Sequence, residues 1–241
     1  TKYIRALEPE GITISVGGEI GEVGKENSNE KELRAYLDNF NELLHKDAKG
    51  ARSISKISIQ TGTSHGGVPG PDGKVVQVNL DFECLETLSR IARQDYGLAG
   101  AVQHGASTLP SDLFNRFPEL ETAEIHLATD FQNMIYDNEL FPEDLKKEIY
   151  THLRKNFASE KKETDTDEQF IYKTRKKGFG VFKSKFWNLS SEIRKAIGGH
   201  LQKKVEHLFT QLKVEDTLEI TKRTTPLVKV PPILAQEIAS A

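Results

Sequence analysis

Short β-branched runs alternate with amphipathic helical patterns from residue 12 to about residue 130, and this alternation restricts the fold more than any other feature. Strands and helices that alternate in this way are typical of a parallel sheet covered by helices. We predict strands at 12–16, 54–60, 99–103 and 123–128. Four strand–helix units are therefore expected, half the number that a closed barrel of such units needs.

The helices between these strands are predicted from their caps and apolar spacing. The first should cover about 30–45, with Asn29 as its N-cap and Leu33, Leu37, Phe40 and Leu44 on one face. Residues 66–71 are rich in glycine and proline, which suit neither helix nor strand, so this stretch is predicted to be the loop before the second helix. A short helix is predicted from Ser111, with Leu113 and Phe117 as its apolar residues.

The pattern changes after residue 138. Pro142 should open a helix, and the polar stretch 159–168 is expected to be mobile. A further amphipathic helix has a predicted apolar face of Leu201, Val205, Leu208, Phe209 and Leu212. The tail at 224–241 is assigned no fixed structure. We therefore divide the chain into 1–138 with the strand–helix units, a helical and polar segment at 139–190, and a C-terminal helix with its tail at 191–241.

Composition excludes several classes of protein. The net charge of −3 gives no reason to expect nucleic-acid binding, and Cys84, the only cysteine, rules out a disulfide within the chain. No apolar run is long enough to cross a bilayer and no signal-peptide pattern is present, so no membrane partner is expected and the cytoplasm is the default location. The chain starts at Thr1 and its only methionine is Met134, so we expect a processed chain or part of a longer polypeptide.

Reactive residues follow all four predicted strands. In parallel α/β folds, functional residues collect just past the carboxyl ends of the strands. The segments there are 17–21, 62–67, 103–107 and 126–130. Two of them contain a histidine followed directly by glycine, at His65 and His104, which suggests ligands whose backbone passes close to a bound group.

His65 and His104 are candidate metal ligands, with Glu19 as a third. Neutral imidazole is the commonest metal ligand, and catalytic zinc usually takes three protein ligands. A single histidine at a strand end is more often a hydrogen-bonded structural residue. Two histidines in equivalent positions are equally consistent with a metal site and with a structural role.

The loops after the third and fourth strands have the composition of a phosphate site. Gly105 would leave backbone amides accessible, and Ser107 and Thr129 would add hydroxyl groups. Glycine and serine are also common in ordinary turns, so each motif alone is weak evidence.

Four motifs, taken together and in order, resemble those of the class II fructose- and tagatose-bisphosphate aldolases. They are EIG at 19–21, GTSHG at 62–66, HGAS at 104–107 and IHLATD at 125–130. The resemblance covers about 11–135 and is fainter at 192–212. It implies a TIM (β/α)8 barrel of which this chain has only the last four strand–helix units. We expect such a half-barrel to leave two unpaired edges and an apolar sheet face that the other half would cover.

The resemblance implies a lyase that reversibly cleaves a phosphorylated ketose to dihydroxyacetone phosphate and an aldehyde, with the aid of a divalent metal. Zn²⁺ is the metal that we favour, a monovalent cation is a second candidate ligand, and a homo-oligomer is expected. The implied metal ligands are His65, His104 and Glu19. The implied substrate- and phosphate-binding residues are Gly66, Gly105, Ser107, His126, Thr129 and Asp130. The acid–base aspartate would lie on an earlier strand than any predicted here.

Three departures from the family pattern affect these expectations, and the most serious is that no predicted strand carries the family's other metal-binding histidine or its acid–base aspartate. His126 stands where the family has an asparagine, which predicts a different choice of ketose, and Ala106 replaces a glycine. Residues 139–190 have the character of an insertion, in which we favour a solvated basic turn for 175–177 over a phosphate contact. Two alternatives remain: a non-catalytic aldolase-like barrel protein that binds a phosphorylated sugar, and a catalytic relative that acts on another ketose.

Overall fold

A computed structural model describes residues 1–21, 26–62, 68–72, 75–76 and 80–227. The strands in these ranges are β1 (Gly17–Glu19), β2 (Lys56–Ile59), β3 (Val68–Pro69), β4 (Val75–Val76), β5 (Ala101–Gln103) and β6 (Glu124–Ile125). Four of them form a parallel sheet in the order β1-β2-β5-β6, and β3 pairs with β4 in an antiparallel hairpin. The expected α/β class with four parallel strands is confirmed.

Helices account for most of the remaining described chain. They are α1 (Lys2–Leu7), α2 (Glu30–Asp47), α3 (Phe82–Gln94), α4 (Arg116–Glu119), α5 (Thr129–Tyr136), α6 (Glu143–Asn156), α7 (Asp167–Thr174), α8 (Gly178–Val181), α9 (Lys183–Trp187), α10 (Ser191–Gln211) and α11 (Leu218–Thr224). Within the described ranges, no helix is both long enough and apolar enough to cross a membrane.

Helix α2 forms for the reasons that its sequence indicates. The Asn29 side chain accepts from the Glu32 amide, and Glu32 accepts from the Asn29 amide, so the two residues make a reciprocal capping box. The apolar side chains Leu33, Leu37 and Leu44 are buried beneath the helix. Its predicted position and cap are confirmed.

The first strand lies at Gly17–Glu19 and not at the predicted 12–16. Arg5 of α1 donates to the carbonyl oxygens of Ile14 and Ser53, at 2.7 Å each. The Ile14 amide donates to Glu8 Oε1 at 2.7 Å. Side chains of α1 and of its C-cap residue, Glu8, therefore take up backbone groups that a neighbouring strand would need, and regular pairing starts only at Gly17 with Lys56.

Two further predictions differ from the structure in detail. The glycine- and proline-rich loop predicted at 66–71 contains the two-residue strand β3, which pairs with β4 after the loop. The single helix expected from Ser111 is divided into a 3-10 turn at Ser111–Leu113 and the four-residue α4. Pro118 has no amide hydrogen with which to continue a longer helix, which explains the division.

Two hydrophobic clusters stabilise the described chain. One lies between the sheet and helices α2 and α3, where Ile57, Leu37 and Leu85 are fully buried. The other joins Tyr136 to helices α6 and α7 through residues that include Ile149 and Phe170. The boundaries proposed at residues 138 and 190 stay a prediction.

The sheet face opposite the first cluster is mainly polar, with the buried Val102 as an apolar member, so the expected apolar face is wrong. Ile57 and Ala101 point into the hydrophobic cluster, and the residues that alternate with them point the other way. One row is in register across the four strands, and its members are Glu19, Ser58, Val102 and Glu124. Lys56 pairs with Glu124 over β5 on the same face. These polar groups satisfy one another across the strands.

The C-terminal half departs from its predictions at two places. Leu208 of α10 is buried, but Phe209 is 52% exposed and so does not belong to the apolar face of this helix. Thr166 caps α7, whose first residues Asp167 and Glu168 were predicted to be part of a mobile stretch. Of the tail predicted to have no fixed structure, residues 228–241 lie outside the described ranges, and α11 ends at Thr224.

Candidate active site

A cavity of about 700 Å³ opens at the carboxyl ends of β5 and β6. Five residues predicted from the sequence line it: His104, Gly105, Ser107, His126 and Thr129. Gly105 has a φ of 73°, a left-handed conformation that favours glycine, and it turns the chain out of β5. The position of the cavity is the one at which parallel α/β folds collect functional groups.

His104 is held by groups from two other strands. Its Nδ1 lies 3.5 Å from Glu19 Oε1 and 3.4 Å from Ser58 Oγ. Strand β2 lies between Glu19 of β1 and His104 after β5. Glu19 is in register with Ser58 of β2, so its side chain passes over Ser58 to contact His104. The structure therefore brings together two of the three predicted metal ligands.

His126 packs against His104 on the other side of the cavity mouth. The two imidazole rings have their centroids 4.4 Å apart and are tilted by 44°. His126 Nε2 is hydrogen-bonded to Glu124, which also pairs with Lys56. Partial burial alone would raise the pKa of Glu124, but the hydrogen bonds from Lys56 and His126 outweigh burial and lower this pKa below its usual value. Glu124 is therefore an ionised group that fixes one end of the His126 ring.

Ser107 ties the loop after β5 to the start of α5. The Ala128 amide donates to Ser107 Oγ at 2.7 Å, and the Ser107 side chain is nearly buried. Thr129 is the first residue of α5, and no side chain caps this helix at Ala128. These residues place a hydroxyl group and a helix start on one wall of the cavity.

Asp130 is not among the residues that line this cavity. It faces a separate space between α5 and α10, where its carboxylate pairs with Lys204 at 2.9 Å. His65 and Gly66 lie outside the described residues. The substrate-binding role of Asp130 and the roles of His65 and Gly66 stay predictions.

Lys176 lines the cavity and brings a positive charge to it, although the basic run 175–177 was interpreted as a solvated turn. Its neighbour Arg175 is buried and forms a bidentate ion pair with Asp137, at 2.7 and 3.0 Å. Burial alone would lower the pKa of Arg175, but the contacts with Asp137 and its neighbours raise it. The Arg175 anchor explains why the turn carrying Lys176 lies against the cavity.

The sequence interpretation also missed Glu124, Lys56 and Gln132. Gln132 lines the cavity one helical turn after Thr129, a spacing that the sequence does show. Glu124 lies two residues before His126 on a predicted strand, so both side chains must point to the same face. That spacing could have predicted the contact between Glu124 and His126. The contact with Lys56 could not be predicted in this way, because it depends on the order of the strands in the sheet.

The described residues supply some of the donors that a metal ion needs. Within the described ranges, no group of three or more histidine, cysteine, aspartate or glutamate side chains could hold one. His104 and Glu19 supply an imidazole and a carboxylate, which are donors that zinc uses. The described residues therefore fit a metal in kind, and a three-ligand site needs a further donor such as His65.

The Glu124 contacts predict a pH-dependent contribution to stability. The folded-state pKa of Glu124 lies below its unfolded value, so its ion pairs should stabilise the fold fully above pH ~4.3, the ordinary pKa of glutamate. This stabilisation should be lost as the pH falls through the lowered folded-state pKa. In urea unfolding, Glu124→Gln should lower the free energy of unfolding near neutral pH, and the difference from wild type should shrink in acid. Glu163→Gln, which removes an exposed carboxylate, is the control. A difference that stays constant with pH would contradict this role.

Comparison with known proteins bears on the whole of this site. The sequence matches the family model described as fructose-bisphosphate aldolase class-II over residues 2–193. The matched range contains all strands of the sheet, the cavity-lining residues and the segment 139–190. No curated protein matches the chain at a significant level. Because the family match covers well over half of the sequence, the chain belongs to the class II fructose-bisphosphate aldolase family.

Proposed function

We propose that this chain carries the metal- and phosphate-binding half of a lyase that reversibly cleaves a phosphorylated ketose to dihydroxyacetone phosphate and an aldehyde. The observation that carries the proposal is the pairing of His104 and His126 at the mouth of one cavity, with Glu19 in contact with His104. A purely structural histidine at one strand end would not require a carboxylate from a distant strand and a second imidazole beside it. Membership of the aldolase family supports the lyase class.

The proposed metal ligands are His104 and His65, with Glu19 as the carboxylate of the site. The contact between Glu19 and His104 Nδ1 fits a carboxylate that orients a ligating imidazole, a common arrangement around zinc. Such a carboxylate favours the tautomer with the proton on Nδ1, which leaves Nε2 as the ligating atom. When bound, a divalent metal, for which we favour Zn²⁺, would polarise the ketone oxygen of the substrate.

The proposed phosphate site lies on the wall formed by Ser107, Gly105 and Thr129, with Gly66 and Asp130 as further candidates from the sequence. Ser107 Oγ accepts from Ala128, and a hydroxyl that accepts can still donate its own proton to a phosphate oxygen. Lys176 adds a cation on the same cavity. An anion is favoured there because the hydroxyl groups, the start of α5 and the lysine all suit negative charge.

His126 is proposed to set the choice of ketose. Its Nε2 is engaged by Glu124, so a neutral His126 would offer the cavity a single acceptor at Nδ1. The asparagine that the family has here offers both a donor and an acceptor. The hydroxyl pattern that His126 favours should therefore differ from the pattern that asparagine favours.

The sheet is proposed to be the last four strands of an eight-stranded (β/α)8 barrel. Its four parallel strands, its cavity at their carboxyl ends and the family match support this assignment. The acid–base group would then come from an earlier strand. A homo-oligomer and a cytoplasmic location remain predictions from the sequence.

Loss of His104 should abolish metal binding. In the intact protein, with the missing half of the barrel present, His104→Ala removes one of the proposed ligands, and most of the bound Zn²⁺ and nearly all cleavage activity should disappear. Elemental analysis of the purified protein and an assay of ketose bisphosphate cleavage measure the two effects. His45→Ala, on the exposed face of α2, is the matched control and should keep both. Normal metal content in His104→Ala would refute the assignment.

Replacement of His126 should change substrate preference. In the intact protein, His126→Asn should shift the ratio of kcat/KM values between stereoisomeric ketose bisphosphates by about fivefold, the effect of roughly one hydrogen bond. Steady-state kinetics with fructose and tagatose bisphosphates measure this ratio. If His126 is only a packed structural residue, the variant will be less stable and the ratio will be unchanged.

The half-barrel proposal makes a separate prediction. Residues 1–241 expressed alone should self-associate through the unpaired edges of β1 and β6 and should not cleave fructose 1,6-bisphosphate. A positioned acid–base group contributes ~10²–10⁴-fold in rate, so its absence should be severe. Co-expression with a segment that supplies the four preceding strand–helix units should give a soluble, active enzyme. A monomeric, active 241-residue chain would disprove the half-barrel.

A further inference from the structure

We propose that Lys176 is the residue through which the segment 139–190 selects a phosphorylated substrate, and that Arg175 is a positioning residue that holds Lys176 at the cavity. The inference rests on the proposed function and deepens it, because that function counts Lys176 only as a nearby cation. Both residues lie in the 3-10 turn Arg175–Lys177, which follows α7. Of the three residues in this described turn, Lys176 alone is among those that line the cavity.

Lys176 differs from its basic neighbours because it has no protein counterion. Each of three neighbours is matched with a carboxylate: Lys173 with Asp165, Arg175 with Asp137, and Lys177 with Glu160. Among the residues that the structure describes, no carboxylate forms an ion pair with Lys176. Its positive charge is therefore available to an anion that enters the cavity.

The carboxylate that lines the cavity does not neutralise this charge. Glu124 is already paired with Lys56 and hydrogen-bonded to His126. A lysine ammonium group donates to phosphate oxygens as a compact charge, and such charge-assisted hydrogen bonds are stronger than those to a neutral sugar hydroxyl. Lys176 should therefore favour a phosphorylated ketose over an unphosphorylated one.

The Arg175 side chain fixes the turn to α5. Its guanidinium donates to both carboxylate oxygens of Asp137, at 2.7 and 3.0 Å, and to Asn133 Oδ1 at 2.5 Å. The same group lies over the rings of Tyr136 and Tyr172, 5.5 and 5.1 Å from their centroids. A planar guanidinium can make bidentate and stacking contacts together, which a lysine cannot. The orientation of this end of the turn is therefore well defined.

The backbone on both sides of Lys176 also packs against Tyr136. The Tyr136 hydroxyl donates to the Arg175 carbonyl oxygen at 2.9 Å. Gly178 lies so close that a Cβ atom there would be 2.6 Å from the same hydroxyl and 2.8 Å from Ile149 Cγ2. Because Tyr136 is fully buried, it is a fixed support for the turn.

Helix α5 connects this support to the cavity. Thr129 and Gln132 of α5 line the cavity, and Asn133 and Tyr136 of the same eight-residue helix hold Arg175. Contacts at one end of the helix thus fix the turn relative to the wall at the other end. Loss of the Arg175 contacts should release Lys176 and leave the wall in place.

The first test removes the charge of Lys176 in the intact protein. Lys176→Gln should weaken the binding of inorganic phosphate, measured by isothermal titration calorimetry, by about tenfold, the effect of one charge-assisted hydrogen bond that water partly screens. For a ketose bisphosphate, KM should rise and kcat should stay nearly constant, because the lysine binds the ground and transition states alike. Lys176→Arg should keep most of the affinity. Lys177→Gln, at the residue that pairs with Glu160, is the matched control and should change neither value.

A double-mutant cycle tests Arg175. Arg175→Lys keeps the charge and loses the fork that contacts Asp137 and Asn133. It should weaken phosphate binding by about fivefold in the wild-type background and not at all in the Lys176→Gln background, because a positioning residue acts only through the residue that it holds. Asn133→Ala removes one contact and should give a smaller effect with the same dependence on Lys176. Urea unfolding measures the stability of each variant.

The outcomes separate the two roles and the proposed function. Unchanged phosphate affinity in Lys176→Gln would overturn the role of Lys176, as would a wild-type protein that binds no phosphate. Equal losses of affinity in the two backgrounds, or no loss in either, would overturn the positioning role of Arg175, because structural damage does not depend on Lys176. A wild-type protein that binds phosphate through Lys176 and cleaves no ketose bisphosphate would refute the proposed lyase alone.

Discussion

In-register parallel pairing of four strands is the constraint on which the site depends. Backbone hydrogen bonds set β1, β2, β5 and β6 side by side, so their carboxyl ends meet at one edge. Glu19 and His104 come from strands that are not neighbours, and their side chains meet only because the register carries Glu19 over Ser58. A one-residue slip in this pairing would turn Glu19 to the opposite face and separate the pair.

Much of this arrangement could be predicted from the sequence, because short-range signals specify it. The cap at Asn29 and the apolar spacing of Leu33 and Leu37 define α2, and both are local. The motifs after the strands carried the family resemblance, and five of the residues named there line the cavity, including His104 and His126. Parallel topology then requires strand-end residues to lie near one another, whatever their separation along the chain.

What could not be predicted depends on contacts between distant parts of the chain. The start of β1 is set by Arg5 and Glu8, whose bonds to backbone groups have no sequence signature. Lys176 was assigned to solvent because a basic run is usually solvated, but the bidentate pair between Arg175 and Asp137 draws its turn against the fold. The contacts between α7 and the β3–β4 hairpin join residues about 100 positions apart, so no local sequence pattern predicts them either.

The pair between Lys56 and Glu124 has a consequence for how this protein can diverge. Both side chains are partly shielded from water on a face that also carries His126. Replacing Glu124 by a neutral residue would leave Lys56 as a partly shielded charge without this partner, which usually costs more than losing both charges together. A double substitution that removes both charges is therefore expected to be less destabilising than a single substitution. The Lys56–Glu124 pair therefore disfavours single substitutions at these two positions, which lie beside His126, the histidine proposed to select the substrate.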